Sequence, residues 1–250
     1  MDKVLKKVEL IKIKGDDAET AAENIIRETP LAINVNGKHY SSVIIVAKLL
    51  KEFVVGHLFT QGIINKVSDI KSLIIKNNTA DVTLLKRITK APAPSKVKSS
   101  LKVSKEDVFK CVNAVLQSET FAETEGVHSA GLFLRGNKTL CTTEDIGRHN
   151  ALDKIIGYGL LHNIDFSQTL AASTGRQPSE MVIKICRAGI PIIATKAAVT
   201  DRGVALAEKH GVTLIGFVRD AGTKMNTDMS TRVFKEAGMK IYCHAERVLY

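Results

Sequence analysis

The first third of the chain alternates hydrophobic and polar residues in a way that predicts short antiparallel strands. Residues 4–13 repeat with a period of two, which is the spacing of side chains on one face of a strand. Two further apolar runs in residues 31–46 flank Asn36-Gly37. Asn-Gly is a strong hairpin signal because both turn positions favour a positive φ. This segment is therefore expected to form a β-hairpin.

A helix and another pair of strands are expected next. Residues 48–61 carry apolar side chains at helical spacing, and Gly62 is suited to end the helix. Strands are then predicted at 69–76 and 82–88, with a turn at Asn77-Asn78. Antiparallel strands around one helix indicate a small α+β unit.

The pattern changes in residues 89–103, which contain two prolines, three serines and four lysines. This composition is typical of a loop or linker. We therefore predict a domain boundary here, with an N-terminal domain at 1–100 and a second domain at 101–250. A helix is expected after Ser104, whose hydroxyl can cap the free backbone amides, with Asp107 three residues on.

Strand and helix patterns alternate through the second half of the chain. The predicted elements are strands at 130–134 and 139–142 with a turn at Gly136-Asn137, a helix at 148–160, a strand at 169–173, a helix at 179–188, a strand at 190–195, a helix at 200–210 and a strand at 212–218. This alternation predicts the α/β class, an open sheet with helices on its faces. In such sheets ligands bind where strands end and lead into helices.

Composition limits the kind of protein that this sequence can encode. The 250 residues are 44% hydrophobic and 25% charged, as in soluble globular proteins, and the apolar runs are too short to span a membrane. The N-terminus lacks the apolar core of a signal peptide, so a cytoplasmic location without a membrane partner is expected. The net charge of +10 indicates either a solvated basic surface or an anionic partner. Because aromatic residues make up 5% and tryptophan is absent, a nucleic-acid platform is not favoured.

The cysteines are far apart in sequence, at Cys111, Cys141, Cys186 and Cys243. A chain of this size in a reducing compartment seldom uses a disulfide framework, and without a Cys-x-x-Cys pair a zinc ribbon is also disfavoured. Cys111 falls in the apolar stripe of the helix predicted after Ser104, so we interpret it as a buried structural thiol.

Polar residues concentrate in loops where the predicted strands end. His128, in the segment 124–130, either faces a pocket or is hydrogen-bonded in the core. In the segment 173–180, backbone amides and Arg176 could hold an anion, while Ser179 could simply cap the next helix.

The segment 144–150 leads into another helix. Its two acids suit a helix N-terminus, whereas Arg148, His149 and Asn150 are hydrogen-bond donors that are costly to bury without partners. His149 and Asp153 share one helix face. We interpret this segment as part of a binding site.

The segment 217–222 follows the last predicted strand of the alternating region, and Arg219 is placed there either to meet a ligand or to lie in a surface loop. The chain contains neither G-x-x-x-x-G-K-[ST] nor G-x-G-x-x-G. Ordinary nucleoside triphosphatase and dinucleotide-binding Rossmann proteins are therefore disfavoured.

Taken together, these segments resemble the FdhD/NarQ family, whose members are accessory sulfurtransferases for formate dehydrogenase. The similarity runs nearly end to end, and its most distinctive part is the eleven-residue run 144–154. The other matching segments are 28–31, Asn36-Gly37, 56–58, 61–64, 126–130, the motif formed by Ser173, Gly175, Arg176, Ser179 and Glu180, and 214–219.

The resemblance implies a main domain with a cytidine-deaminase-like α/β/α fold beside the smaller α+β N-terminal domain. Members act as homodimers and pass sulfur from a cysteine desulfurase to the molybdenum cofactor before it enters formate dehydrogenase. The cofactor implied is Mo-bis(molybdopterin guanine dinucleotide), bound as cargo. The residues expected to bind it are His128, Arg148, His149, Ser173, Gly175, Arg176, Phe217, Val218, Arg219, Asp220, Ala221 and Gly222.

One feature of the family is absent from this sequence. Family members carry sulfur as a persulfide on a C-G-x-C-G loop, whereas the corresponding residues 91–100 contain no cysteine. Sulfur relay needs a thiolate that accepts and releases sulfur, which serine and lysine cannot replace. The catalytic residue is therefore unassigned, with Cys141 as the first candidate and Cys243 as the second.

Two functions remain open at this point: a sulfurtransferase with a relocated thiol, and a cofactor-binding chaperone or regulator without sulfur chemistry. The implied fold also raises a zinc deaminase, which needs a P-C-x-x-C motif that this chain lacks. Binding of nucleic acid through the basic charge would depend steeply on salt and is the least favoured alternative.

Overall fold

The chain begins with a long β-hairpin. The computed structural model describes residues 4–86, 93–220, 224–227, 230–233 and 237–250. Strands β1 (Leu5–Lys14) and β2 (Asp17–Ile26) pair antiparallel along their whole length. The structure confirms the strand predicted at 4–13. Strand β2 is not predicted from the sequence, because its mostly polar and exposed residues carry no alternating pattern.

A four-stranded sheet follows the hairpin. Its strands are β3 (Thr29–Val35), β4 (Lys38–Ile45), β5 (Ile70–Lys76) and β6 (Thr79–Leu84), in the order β4-β3-β6-β5. The two predicted turns are confirmed, since Asn36 and Gly37 have φ of 50° and 75°, and Asn77 and Asn78 have φ of 51° and 59°. The strand predicted at 82–88 is β6, which starts earlier, and residues 87 and 88 lie outside the described residues.

Helix α1 (Leu50–Thr60) connects β4 to β5, as the sequence predicts. A 3₁₀ turn at Val67–Asp69 precedes β5. Between residues 93 and 102 the chain forms neither helix nor strand, in agreement with the predicted linker. This segment is still tied to the fold, because the amide of Val97 donates a hydrogen bond of 2.7 Å to the carbonyl of His210.

The second half of the chain contains the remaining elements. Its strands are β7 (Val103–Ser104), β8 (His128–Leu134), β9 (Lys138–Asp145), β10 (Thr169–Ser173), β11 (Ile192–Thr195), β12 (Thr213–Arg219), β13 (Lys224–Thr227), β14 (Ser230–Val233), β15 (Gly238–Cys243) and β16 (Val248–Leu249). Its helices are α2 (Lys105–Leu116), α3 (Glu119–Thr124), α4 (Arg148–Leu161), α5 (Ser179–Ala188) and α6 (Asp201–His210), with 3₁₀ turns at Phe166–Gln168 and Ala245–Arg247.

A mixed six-stranded sheet organises these elements, in the order β15-β12-β11-β10-β8-β9. Strands β10, β11 and β12 are parallel, whereas β8, β9 and β15 run antiparallel to their neighbours. The helix start predicted after Ser104 is confirmed, since its hydroxyl accepts a hydrogen bond from the amide of Asp107. The β8–β9 turn is one residue earlier than predicted, because Arg135 and Gly136 take the positive φ values.

Helices cover both faces of this sheet, which gives three layers. Alternate residues of β10 face opposite sides: Ala171 packs in a core shared with α4, α5 and α6, and Leu170 packs in a core shared with α2. The first core continues through α1 to Leu31 and Ile33 of the N-terminal sheet. The α/β class is therefore confirmed, while the cytidine-deaminase-like description and the domain boundary near residue 100 remain predictions.

Candidate functional site

The carboxyl ends of the parallel strands meet at one edge of the central sheet. β10 ends at Ser173 and β11 at Thr195, and the antiparallel strand β8 begins at the same edge with His128. The amide of Ser129 donates a hydrogen bond of 2.9 Å to the hydroxyl of Thr174, and the amide of Thr174 donates one of 3.0 Å to the carbonyl of Ser129. These bonds hold the loop after β10 against the start of β8.

The loop after β10 is fixed from inside by short polar side chains. The amide of Gly175 donates to the hydroxyl of Ser173 at 3.1 Å, and the carbonyl of Gly175 accepts from Thr195 and Gln177 at 2.8 and 3.1 Å. A Cβ on Gly175 would lie 2.8 Å from the Cβ of Arg148. Glycine is therefore needed here because it leaves room for the arginine at the start of α4.

Cationic side chains gather at this edge, and we name His128, Arg148, Arg176 and Lys196 the sheet-edge cluster. Burial lowers the pKa of His128, and the nearby charges of Arg148, Lys196 and Arg176 lower it further. Burial also lowers the pKa of Lys196, which Glu125 partly offsets and the positive charge of Arg219 reinforces. Mutual repulsion of this kind is relieved by an anion, so the cluster is suited to a negatively charged ligand.

Arg148 provides the clearest sign of a missing partner. Its Nε is buried, and no described residue accepts a hydrogen bond from it. Buried donors are nearly always paired in folded proteins, and an unpaired one costs free energy. Arg148 is the first residue of α4, and the positive end of the helix dipole there favours a phosphate oxygen as the acceptor.

A cavity of about 280 Å³ adjoins the cluster. It is lined by His128, Thr174 and Lys196, and by apolar residues that include Phe121 and Val127. The Lys196 ammonium lies 5.0 Å from the centre of the Phe121 ring, within cation–π range. The site therefore combines charge with an apolar wall.

The predicted segment 217–220 lies at the end of β12, and its residues have different roles. Phe217 has a φ of 54°, and the ammonium of Lys240 and the guanidinium of Arg219 lie 4.8 and 5.2 Å from its ring centre. Val218 is buried in the core beneath α2, and Asp220 accepts a hydrogen bond of 3.0 Å from Asn113. The predicted site residues Ala221 and Gly222 lie outside the described residues.

His149 is the predicted site residue that lines a different cavity. Although it follows Arg148 in sequence, its Nε2 lies 3.6 Å from a carboxylate oxygen of Glu180, in a space between α1, α4 and α5. Asp153 lines the same cavity, so the helix face predicted for this pair is confirmed. Neighbouring positions on a helix point about 100° apart, which explains the separation from Arg148.

The distinctive run 144–154 also contains a buried ion pair. Lys154 and Asp145 are both fully buried, with 2.8 Å between the ammonium and the carboxylate. The same carboxylate accepts hydrogen bonds from the amides of Val46 and Gly147, and Lys154 donates to the carbonyl of Val46. This pair therefore joins the start of α4 to the chain just after β4, and it positions the site without facing it.

The cysteines are all free and buried. Burial raises the pKa of the Cys111 and Cys186 thiols to about 12 and that of Cys141 to about 11. Burial also raises the pKa of Cys243, whose thiol donates to the carbonyl of Val212 at 3.3 Å. Both sulfur-carrier candidates, Cys141 and Cys243, are thus protonated and shielded in this conformation.

Sequence reasoning missed Lys196, Thr174 and Phe121. Lys196 directly follows β11, so the rule that ligands bind at the carboxyl ends of parallel strands would have found it. Thr174 was in a recognised segment but was not selected. Phe121 belongs to the short helix α3, which has no pattern long enough to be noticed.

The fold and the site together define a mixed α/β protein with a donor-rich, positively charged sheet edge, a type of site suited to phosphate groups. In the part of the chain that the structure describes, no helix is long and apolar enough to cross a membrane. Across the same residues, no group of three or more His, Cys, Asp or Glu side chains is arranged to hold a metal ion.

Comparison with known proteins identifies the family, and the chain belongs to the FdhD/NarQ family. A sequence model of this family matches residues 26–93 and 83–249. Protein FdhD of Methanocaldococcus jannaschii is 31% identical over 235 residues, which cover 93% of this chain and 100% of that protein. Proteins named Sulfur carrier protein FdhD in Methanothermobacter thermautotrophicus and Wolinella succinogenes are 29% and 30% identical, covering 94% and 99% of this chain and 95% and 90% of theirs.

A solved structure shows the same architecture. The crystal structure of a candidate formate dehydrogenase accessory protein from Desulfotalea psychrophila has a TM-score of 0.82 and 27% sequence identity, over 98% of this chain and 100% of that one. The resemblance drawn from the sequence motifs is therefore confirmed.

Proposed function

We propose that this chain is a cytoplasmic accessory protein for the maturation of formate dehydrogenase and that it binds Mo-bis(molybdopterin guanine dinucleotide) as cargo. The observation that carries the proposal is the buried, unpartnered Nε of Arg148 inside the sheet-edge cluster. Membership of the FdhD/NarQ family supports the same conclusion.

The geometry suggests how a pyrophosphate would be held. Arg148 is packed against Gly175 and offers a guanidinium with a fixed direction, while the exposed Arg176 can close over the ligand from outside. Arginine binds phosphate through two parallel hydrogen bonds, which fixes orientation as well as charge. Lys196 would add positive charge at the adjoining cavity, and His128 would add a polar group.

Binding is tested with guanosine diphosphate, which carries the guanine and pyrophosphate of the cofactor. Arg148→Gln removes the guanidinium with its buried Nε and is expected to weaken binding about tenfold to a hundredfold in calorimetry, because a charge-assisted hydrogen bond is lost. Arg135→Gln is the matched control, since Arg135 is exposed and lies at the β8–β9 turn. Equal affinities of the two variants would refute binding at this edge.

Transfer of sulfur from a cysteine desulfurase is the second candidate function, favoured by relatives that are named sulfur carrier proteins. The buried thiols argue against it in this conformation, so we propose that the chain carries the cofactor rather than the sulfur. As a cofactor carrier, the chain would still bind formate dehydrogenase. We also propose that it acts as a homodimer.

Labelled sulfur separates these two functions. The chain is incubated with a cysteine desulfurase and radiolabelled cysteine, and each cysteine is changed to serine in turn. A cofactor carrier should gain no label that reducing agents release, while it retains binding of guanosine diphosphate. Label that disappears with one substitution, such as Cys141→Ser, would instead identify a relocated sulfur carrier.

A further inference from the structure

A second cavity lies between helices α1, α4 and α5, and the proposed function does not use it. Its volume is about 510 Å³. His57 and Gln61 line it from α1 and the residue after it, Asp153 from α4, and Lys184 and Arg187 from α5. Three separate helices thus bring polar side chains together at one place.

Close contact between the backbones of α1 and α4 brings together His57 and Asp153, the central pair of residues in this cavity. A Cβ on Gly56 would lie 1.9 Å from the carbonyl oxygen of Asp153, and one on Gly157 would lie 1.8 Å from the carbonyl oxygen of Glu52. Only glycine permits this approach. As a result the imidazole of His57 reaches the carboxylate of Asp153, with 3.1 Å between Nδ1 and Oδ2.

Asp153 has little acceptor capacity left to offer a ligand. It is fully buried, and its carboxylate accepts hydrogen bonds from Lys184 at 2.6 Å, from Thr60 at 2.8 Å and from His57. Burial alone would raise the pKa of Asp153, but Lys184 and His57 outweigh burial and hold the pKa below its usual value. The carboxylate therefore stays ionised, neutralised by Lys184 and fully engaged.

A donor group of the same cavity lacks a partner within the described residues. The Nε of Arg187 is buried, and none of the described residues accepts a hydrogen bond from it. Because an ionised carboxylate only accepts hydrogen bonds, the Nδ1 of His57 must donate to Asp153, and this interaction fixes the orientation of the ring. Glu180 is a weak competitor, since its side chain is 77% exposed at the rim.

We propose that this cavity binds the phosphate or carboxylate group of a small anion, with Arg187 as its main donor. Asp153 orients the ring of His57, and Lys184 neutralises Asp153, so that its carboxylate repels the anion little. The geometry disfavours a cation as ligand, because the deep carboxylate already accepts three hydrogen bonds. This inference is independent of the proposed binding of a guanine dinucleotide at the sheet edge.

Histidine NMR tests the proposal at the level of single sites. Imidazole signals, assigned through His57→Gln and His149→Gln, are followed while inorganic phosphate or sodium acetate is added to protein saturated with guanosine diphosphate. Saturable shifts of the His57 and His149 signals are expected with at least one of the two anions, and the responsive anion identifies the chemical group.

Arg187→Gln should weaken this binding about tenfold or more, because it removes the charged donor. Arg202→Gln, on the exposed start of α6, is the matched control and should leave the affinity unchanged. Arg187→Lys keeps the positive charge and serves as a control for loss of binding through misfolding. It should retain part of the binding that Arg187→Gln loses. Unmoved His57 and His149 signals up to on the order of tens of millimolar anion, or equal affinities of the Arg187→Gln and Arg202→Gln variants, would overturn the proposal.

Discussion

Lys154 and Asp145 show how single residues of the distinctive run 144–154 act in different ways. Their ion pair is fully buried and joins α4 to the chain after β4, whereas Arg148, six residues before Lys154, keeps a buried donor without a partner among the described residues. A paired buried charge holds structure, and an unpaired one indicates a ligand. The same segment therefore contributes both to stability and to binding.

Removing one member of the buried Lys154–Asp145 ion pair should destabilise the folded protein. Asp145→Asn is expected to lower the free energy of unfolding by about 3–5 kcal/mol, because the ammonium of Lys154 would remain buried without its counter-ion. Urea denaturation measures the change, with Asp81→Asn on an exposed strand position as control. A loss below about 1 kcal/mol would show that water or a rearranged carbonyl replaces the carboxylate.

The pKa of His128 should lie below the usual histidine value of about 6.5, because the side chain is partly buried and faces Arg148, Lys196 and Arg176. Between the two pKa values the unfolded chain binds more protons than the folded one, so stability from this residue is present above about pH 6.5 and is lost as the pH falls. Imidazole NMR gives the pKa directly, and urea denaturation of His128→Gln at pH 7.5 and 5.5 should show a smaller pH effect than the parent chain.

Guanosine diphosphate should raise the pKa of His128, because a phosphate would stabilise the imidazolium. His210, which lies at the end of α6 away from this edge, provides an internal reference. A pKa of His128 that does not move in the bound state would place the nucleotide elsewhere.

At the scale of elements, local signals account for what the sequence could predict. The turns at Asn36-Gly37 and Asn77-Asn78 and the end of α1 at Gly62 depend on φ preferences of a few adjacent residues, and the structure contains all of them. β2 could not be predicted in this way, because its strand conformation depends on pairing with β1 rather than on its own pattern.

The candidate site was predictable only in part, for the same physical reason. Arg148 and Arg176 could be predicted as site residues from the sequence alone, because both lie in polar loops that follow predicted strands. Helix geometry alone separates His149 from Arg148, but the cavity that each residue meets depends on the rotation of α4 against α1, and that rotation is set by long-range packing of Gly56 and Gly157. No local pattern carries this information.

The contact between α1 and α4 should be sensitive to a single methyl group. Gly56→Ala is expected to destabilise the protein by about 1–3 kcal/mol or more. The new Cβ would clash with the backbone carbonyl of Asp153, which is fixed within α4. Urea midpoints are compared with those of Gly238→Ala, where a Cβ meets nothing within 4 Å. Similar midpoints for the two variants would mean that the helices can separate at little cost.

At the scale of the whole molecule, all four cysteine thiols are buried. A thiol reagent such as dithionitrobenzoate should therefore react slowly with the native chain at pH 7, whereas all four cysteines should react after unfolding in guanidinium. The physical reason is that each thiol is both shielded and protonated. One rapidly reacting thiol in the native protein would restore sulfur transfer as the favoured function.

The glycine contact between α1 and α4 also has a consequence for the order of events during synthesis. His57 and Asp153 are 96 residues apart, so at about 5–20 residues per second the ribosome needs roughly 5–20 s to deliver the partner of α1. During that interval the face of α1 that carries Gly56 has no helix to pack against it. The nascent chain is therefore most exposed to aggregation, and most accessible to a ribosome-bound chaperone, well before its second half emerges.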